Sequence, residues 1–443
     1  MHAVLISIVA LSLQTLALPV DGPGPAQTGV VHLPLTATPL HSTGRFKKRF
    51  RFSVPTVNDV LYTVSVAVGT PGTHLRLAFS LTSPSTWINP NCSNVDQLEH
   101  RKLCRTSGYF YQQMSKTFYG TDKTRHDFGM GPGELQMALD SVTLGSSVVE
   151  RQLIGVGSNT THVALGVLGT AMGPSSAGED NVSIVETLRR QGVTKRSAFS
   201  LDIRGTDNDG GSVLFGGVDT QKFSGPLVER QMALHPIMQA SLKSPGEALD
   251  DRRISGAEPS TVVVSFDKLV ITAADGTILP ATEGKPLLAS LDSSYTISYL
   301  PAPVVERIAE RFPPAQRHES AARDGSAYYT VDCDAAQLKG SLDFVLGDTT
   351  IKLPFEDLVG SKVNSESCLL GVASQPTDLE NQAILGANFL KRVYAVFDWQ
   401  DYKVYLANTE DCGSSVRTLD QSTSIGTLVG ECGDRRLELR HAD

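Results

Sequence analysis

The chain has 443 residues, 40% of them apolar and only 19% charged, with a formal net charge of −8. That length and apolar share support one large core or two moderate ones, and an acidic balance with no basic face argues against nucleic acid or an anionic membrane as a partner. Abundant Gly (39) and Pro (23), without a heptad or any long helical period, indicate a β-rich globular protein with many turns.

Residues 3–13 form an apolar run followed by Thr15-Leu16-Ala17. The run is too short to span a bilayer, so residues 1–18 read as a secretory signal peptide, although its first residues carry His2 and no Lys or Arg. No other stretch is long and apolar enough to cross a membrane. Residues 19–49 read as a pro-segment or linker, rich in Pro, Gly, Thr and His, and closed by the basic cluster Arg45-Phe46-Lys47-Lys48-Arg49. That cluster suits a processing protease and equally a solvated basic turn.

Residues 62–68 alternate bulky and small side chains with period two and stop at Gly69-Thr70-Pro71-Gly72, which predicts a half-buried strand and a turn. A second strand, residues 75–79, runs into Ser80-Leu81-Thr82-Ser83. The glycine-rich run from Phe128 and Gly129 to Gly133 has no βαβ pattern around it and predicts a hairpin tip rather than a dinucleotide loop. Ile184, Val185 and Leu188 with Gly192 beyond predict a short amphipathic helix with a glycine stop. Residues 198–203 and 211–217 predict a hairpin. In the second half, residues 287–291 form an apolar strand leading to Asp292-Ser293-Ser294-Tyr295 and a helix near 304–312; the last thirty-odd residues read as a weakly structured tail.

The six cysteines pair most simply between sequence neighbours, Cys92 with Cys104, Cys333 with Cys368 and Cys412 with Cys432, although other connectivities stay open. They suit an oxidising, secretory compartment. No Cys-x-x-Cys or His-x-x-x-His spacing suggests a metal, and no cofactor is expected. Asn91, Asn159 and Asn181 head Asn-x-Ser/Thr sequons, which fits glycosylation.

The chain also echoes itself. Leu77-Ala78-Phe79-Ser80-Leu81-Thr82 parallels Ala289-Ser290-Leu291-Asp292-Ser293-Ser294, and Val167-Leu168-Gly169 parallels Ile384-Leu385-Gly386. Two similar lobes facing each other would bring positions 80 and 292 together.

With these pieces in order and spacing, the stretch from Tyr62 to Asn408 resembles the pepsin-like aspartic peptidases, in particular secreted fungal ones. The supporting motifs include Gly69-Thr70-Pro71, Trp87-Ile88, Gly211-Ser212-Val213-Leu214-Phe215-Gly216-Gly217, Asp292-Ser293 with Tyr299-Leu300-Pro301, and Phe389-Leu390. The resemblance implies an all-β dominated, bilobal acid-protease fold with a cleft between two pseudo-symmetric lobes, a few short helices, a flap hairpin over the cleft and a disulfide in each lobe. On this reading residues 50–205 are the N-terminal β lobe, 206–410 the C-terminal β lobe and 411–443 a tail, and the protein is a secreted monomer.

The family carries Asp-Thr/Ser-Gly once per lobe, and here the two copies depart from it. The first reads Ser80-Leu81-Thr82, so its carboxylate is missing; the second keeps Asp292 and Ser293 but has Ser294 and Tyr295 where the family has Gly and Thr/Ser. Phe128 falls at the flap tyrosine, and Asp275-Gly276-Thr277 is a decoy with the wrong flanking strands. Two close carboxylates share a proton, one activating water while the other donates to the substrate carbonyl. With Ser80 in place of one, a single acid–base partner remains, a loss that typically costs about 10²–10⁴ in rate. Leu81 lacks the hydroxyl that, in the family, bonds across the two turns. Ser80 as a new nucleophile would need a base within reach, for which Asp292 is the candidate. The substrate-side residues expected from the resemblance are Phe128, Gly129, Thr82, Ser294 and Tyr295. The resulting expectation is a pseudopeptidase that binds peptide or protein in the cleft; the alternatives are a residually active aspartic endopeptidase and a co-opted enzyme acting on a small molecule, for example in a biosynthetic pathway.

Overall fold

The computed structural model describes residues 29–41, 58–95, 98–126, 133–160, 163–172, 183–205, 210–234, 262–319, 326–375 and 382–433. Among them strands dominate, and the longest α-helix, Leu98–Thr106, has 9 residues. No helix among the described residues is long and apolar enough to cross a membrane.

An eight-stranded sheet builds the first lobe, with Thr73–Ser80 at its centre between Asn58–Val68 and Val167–Gly169. The second lobe repeats this arrangement around Leu287–Leu291, which lies beside Gln382–Leu385. The two echoes of the sequence are thus two parallel strand pairs, Ser80 opposite Gly169 in one and Leu291 opposite Leu385 in the other. Alternation explains why these strands form. Leu75, Leu77 and Phe79 are buried, and Leu287, Ala289 and Leu291 likewise. A glycine then lets the following turn close onto the strand. A Cβ at Gly169 would stand 2.4 Å from the Ser83 carbonyl oxygen, and one at Gly386 2.3 Å from that of Ile297.

A seven-stranded sheet joins the lobes, in the order Val31–Pro34, Gly211–Phe215, Ala198–Ile203, Val393–Asp398, Lys403–Thr409, Phe223–Gln231 and Val429–Glu431. Its central rings are packed tightly. Phe199 stacks on Phe397 with centroids 4.9 Å apart and meets Phe79 edge-on at 6.5 Å. Phe79 immediately precedes Ser80, so this aromatic layer supports the floor of the first signature turn. The helix Ile184–Arg190 forms where the apolar spacing places it, capped by Ser183 and followed by Gly192 at φ +71°.

Two stretches are more ordered than their composition suggests. Residues 19–49 were expected to be a linker or pro-segment, yet Val31–Pro34 pairs with Gly211–Phe215 and Thr36–His41 pairs with Asn58–Val68. Val31, Leu33, Leu35 and Ala37 face the core while His32, Pro34 and Thr36 face out. The alternation is regular but hidden in a proline-rich stretch, and proline is tolerated because these are edge positions. The tail was expected to be weakly structured, yet residues 412–433 are packed. Val416–Thr418 pairs with Gly217–Asp219, Val429–Glu431 pairs with Phe223–Gln231, and Leu419 and Ile425 are buried. Each anchor is a single side chain in a polar run, so no periodicity betrays it.

The three disulfides join sequence neighbours, Cys92–Cys104, Cys333–Cys368 and Cys412–Cys432. The last closes the C-terminal segment across a separation of 20 residues. In the chain-entropy account a loop of that size contributes about 3 kcal/mol. Cys412→Ala/Cys432→Ala should therefore lower stability in urea unfolding by roughly that amount; an unchanged midpoint would mean that this crosslink contributes nothing to stability.

Candidate active site at the lobe interface

Ser80 and Asp292 end their respective strands in matching turns. Ser80 is buried, and its Oγ accepts hydrogen bonds from the backbone N–H groups of Thr82 (3.3 Å) and Ser83 (3.0 Å). Its hydroxyl thus caps its own turn, as a carboxylate could do at the same place. The Ser80 carbonyl oxygen is held in turn by Thr170, which donates from both its N–H (3.0 Å) and its Oγ1 (2.9 Å). Thr170 is itself fixed by Trp399, whose Nε1 donates to the Thr170 carbonyl oxygen at 3.0 Å. Thr170 was not singled out from the sequence. The signal for it was its place directly after the Leu168-Gly169 echo.

Asp292 is also buried, and its N–H donates to the Leu385 carbonyl oxygen at 3.0 Å. Its Oδ1 accepts from the Ser294 N–H at 2.9 Å and from the Ser294 hydroxyl at 2.6 Å. The Thr82 hydroxyl, which belongs to the other lobe, also bonds to this carboxylate. Burial raises the Asp292 pKa above the ordinary 3.8, and the bonds from Ser294 and Thr82 pull it partly back. The side chains at the two family glycine positions therefore leave both turns closed, and they supply hydroxyls that converge on one carboxyl group.

A second contact crosses the interface. The Ser293 hydroxyl donates to the Phe79 carbonyl oxygen at 3.4 Å. At the corresponding place in the first turn stands Leu81, which is buried and has no donor. The cross-lobe grip is therefore one-sided. Ser298 supports the second turn, donating to Asn388 Oδ1 at 2.8 Å and accepting from the Gly386 N–H at 3.1 Å. Tyr295 is half-buried, edge-on to Tyr299 with centroids 5.3 Å apart.

The strands Tyr119–His126 and Gly133–Leu144 form the expected hairpin, with His126 opposite Glu134. Phe128 and Gly129 lie outside the described residues. Asn91 caps the 3₁₀ turn Cys92–Asn94 through Oδ1, while Asn159 is exposed on Ser147–Thr160; Asn181 lies outside the described residues.

The raised pKa has a definite sign in stability. Between the unfolded value and the folded one, the folded protein holds a proton that the unfolded chain has released, so this group favours folding most below pH 3.8 and loses that contribution as pH rises through the folded value. Asp292→Asn keeps an oxygen acceptor and removes the titration. It should match its parent near pH 3 and exceed it in melting temperature at pH 7; a variant less stable than its parent at pH 7 would contradict the burial argument.

Two β lobes with matching strand-and-turn signatures, bridged at the turns and joined by a shared sheet, define the scaffold of an aspartyl protease. The eukaryotic aspartyl protease family profile matches residues 61–409, and the chain belongs to that family. Rhizopuspepsin-1 of Rhizopus niveus is 29% identical over 368 residues, covering 80% of this chain and 81% of its own length. Secreted aspartic protease 1 of Candida albicans is 25% identical over 401 residues, covering 85% of this chain and 89% of its own length.

Proposed function

We propose that this chain is a catalytically impaired member of its family, one that binds an extended peptide or a protein segment in the interlobe cleft without hydrolysing it. The observation that carries this reading is the surrounding of Asp292, whose carboxyl group meets the hydroxyls of Ser294 and Thr82 while Ser80 caps its own turn. General acid–base hydrolysis of a peptide bond needs one group to take a proton from water and another to give one to the carbonyl. A serine hydroxyl in place of the carboxyl group supplies neither at acidic pH. The apolar run at residues 3–13, the three disulfides and the sequons at Asn91, Asn159 and Asn181 support a secreted, glycosylated protein.

Calorimetric titration with a set of extended peptides and a hydroxyl-bearing transition-state-analogue peptide tests the binding half of the proposal. Saturable binding that is lost in Thr82→Trp, which fills the cleft beside Asp292, is the expected result. Binding that survives Thr82→Trp, or no binding by any peptide of the set, contradicts it.

A further inference from the structure

A single exposed apolar side chain is ordinary, but several on one fixed stretch of backbone call for a partner. Among the described residues the only exposed aromatic side chains are Tyr109, Tyr111 and Tyr119, each more than half exposed, and Met114 between them is 70% exposed. The second lobe has no counterpart among its described residues, where every tyrosine is buried or half-buried. No residue from Thr106 to Ser115 is charged. The first lobe therefore carries an uncharged aromatic patch at the base of the hairpin that starts with Tyr119.

The backbone beneath these rings is held from several sides. Phe110 is buried with its ring centroid 6.0 Å from that of Phe118, so its neighbours Tyr109 and Tyr111 are turned out, as is Tyr119 next to Phe118. Buried Asn89, in the left-handed region at φ +56°, pairs with residue 110 like one rung of a ladder. Its Nδ2 donates to the Phe110 carbonyl oxygen at 2.7 Å, and its Oδ1 accepts from the Phe110 N–H at 2.9 Å. Ahead of the rings, the Arg76 N–H donates to the Ser107 carbonyl oxygen at 2.8 Å, and a Cβ on Gly108 would stand 2.4 Å from the His74 carbonyl oxygen. The segment thus lies directly on the strand Thr73–Ser80. Beyond them, the Met114 N–H donates to the Tyr111 carbonyl oxygen at 2.9 Å and the Lys116 N–H to that of Thr70 at 2.8 Å. On this base Tyr109 and Tyr111 meet edge to face, with centroids 4.9 Å apart and planes at 62°.

We propose that this tyrosine corner is a binding site for a neutral polysaccharide, separate from the interlobe cleft and independent of what the cleft holds. A sugar ring offers a flat C–H face and a rim of hydroxyls, and the flattest faces belong to β-linked, equatorially substituted rings such as those of glucan and chitin. A tyrosine ring takes such a face by dispersion, while its O–H exchanges hydrogen bonds with the rim. The exposed amides of Gln112 and Gln113, directly after Tyr111, both donate and accept. With the two planes at 62°, one ring can underlie a sugar while the other closes its side. The uncharged run from 106 to 115 matches an uncharged ligand and offers nothing to a phosphate, a uronate or an anionic lipid headgroup. Because the backbone is already pinned at residues 107, 110, 111 and 116, binding orders few torsions, and its entropic cost is low.

The test uses the full chain. Native gel electrophoresis through soluble β-glucan and retention on chitin beads measure binding, with polygalacturonate and phosphatidylserine vesicles as charged probes. The expected result is retardation or retention by at least one of the two neutral polymers, insensitive to salt and about tenfold weaker in Tyr109→Ala/Tyr111→Ala. Tyr109→Phe/Tyr111→Phe keeps both rings and should keep most of the binding. Both variants alter exposed side chains and should melt with their parent, and endoglycosidase treatment should leave retention as it was. Absence of binding to both neutral polymers overturns the proposal, even where gel filtration shows that the alanine variant has lost a dimer. Binding of equal strength in the alanine variant overturns it as well, as does binding confined to the charged probes and abolished by salt. Retention that changes on endoglycosidase treatment would assign the corner to the chain's own glycans and count against it too.

Discussion

Ser80→Asp alone should leave peptide hydrolysis at acidic pH at least about 10²-fold below that of the triple variant Ser80→Asp/Thr82→Gly/Ser294→Gly. A carboxylate at position 80 can accept the same two N–H groups, of Thr82 and Ser83, that the serine hydroxyl accepts now. It would also restore a like-charged neighbour and with it a shared proton. What it does not restore is room. The hydroxyls of Thr82 and Ser294 stay on Asp292, where a water and the substrate backbone must come. Removing both side chains frees the carboxyl group and allows the closer backbone approach that glycine permits. Leu81 remains in the triple variant, so the cross-lobe grip stays one-sided, carried by Ser293 on the Phe79 carbonyl oxygen. The readout is cleavage of a fluorogenic peptide across pH 3–6; full activity from Ser80→Asp alone would show that the two hydroxyls are no obstacle.

Arg196→Ala should lower stability by about 3–5 kcal/mol. The Arg196 side chain is 3% exposed and that of its partner Asp398 0%, and the pair is bidentate, with Nε on Oδ1 at 3.1 Å and Nη2 on Oδ2 at 2.7 Å. Truncating the arginine leaves a buried carboxylate without its counter-charge, which costs far more than the pair contributes as a net term. The same guanidinium reaches Asp401 and the carbonyl oxygens of Asp420 and Thr423, so the C-terminal segment should loosen as well. Arg196→Met/Asp398→Leu, which removes both charges, should recover a large part of the loss in urea unfolding. A single variant within 1 kcal/mol or so of its parent would contradict the burial of this pair as the cause.

Much of this fold is legible in the sequence for local reasons. The strand before Ser80 and the strand before Asp292 are apolar runs punctuated by hydroxyl residues, and each finds its partner in an aliphatic-Leu-Gly triplet whose glycine is needed for close approach. Position, not type, made the helix after Ser183 readable, since cap, apolar spacing and glycine stop fall in order. The strands within residues 31–41 were not legible because prolines at 34 and 39 mask the alternation at 31, 33, 35 and 37, which spans only seven residues. The C-terminal segment was misread because its contribution to the core is two isolated side chains, Leu419 and Ile425, held by a disulfide and by main-chain bonds that leave no compositional trace.

The candidate site divides along the same line. Ser80, Asp292, Thr82 and Ser294 were singled out by alignment of the two echoes, yet nothing local places a hydroxyl from residue 82 on a carboxylate 210 residues further on. Thr82 and Ser294 stand where the family has glycine. In the folded protein the turns stay closed and the hydroxyls are used, because a buried carboxyl group takes any donor within reach in preference to none. Serine and threonine at these positions therefore stabilise the lobe interface while occupying the acid.

Digestion of a peptide library at acidic pH, wild type against Asp292→Ala, meets the main claim head-on. If the cleft holds peptides but lacks a working acid–base couple, the two digests should be indistinguishable from each other and from buffer. Cleavage products made by the wild type and missing from Asp292→Ala would mean that one carboxylate is enough here, and the protein would then be a peptidase.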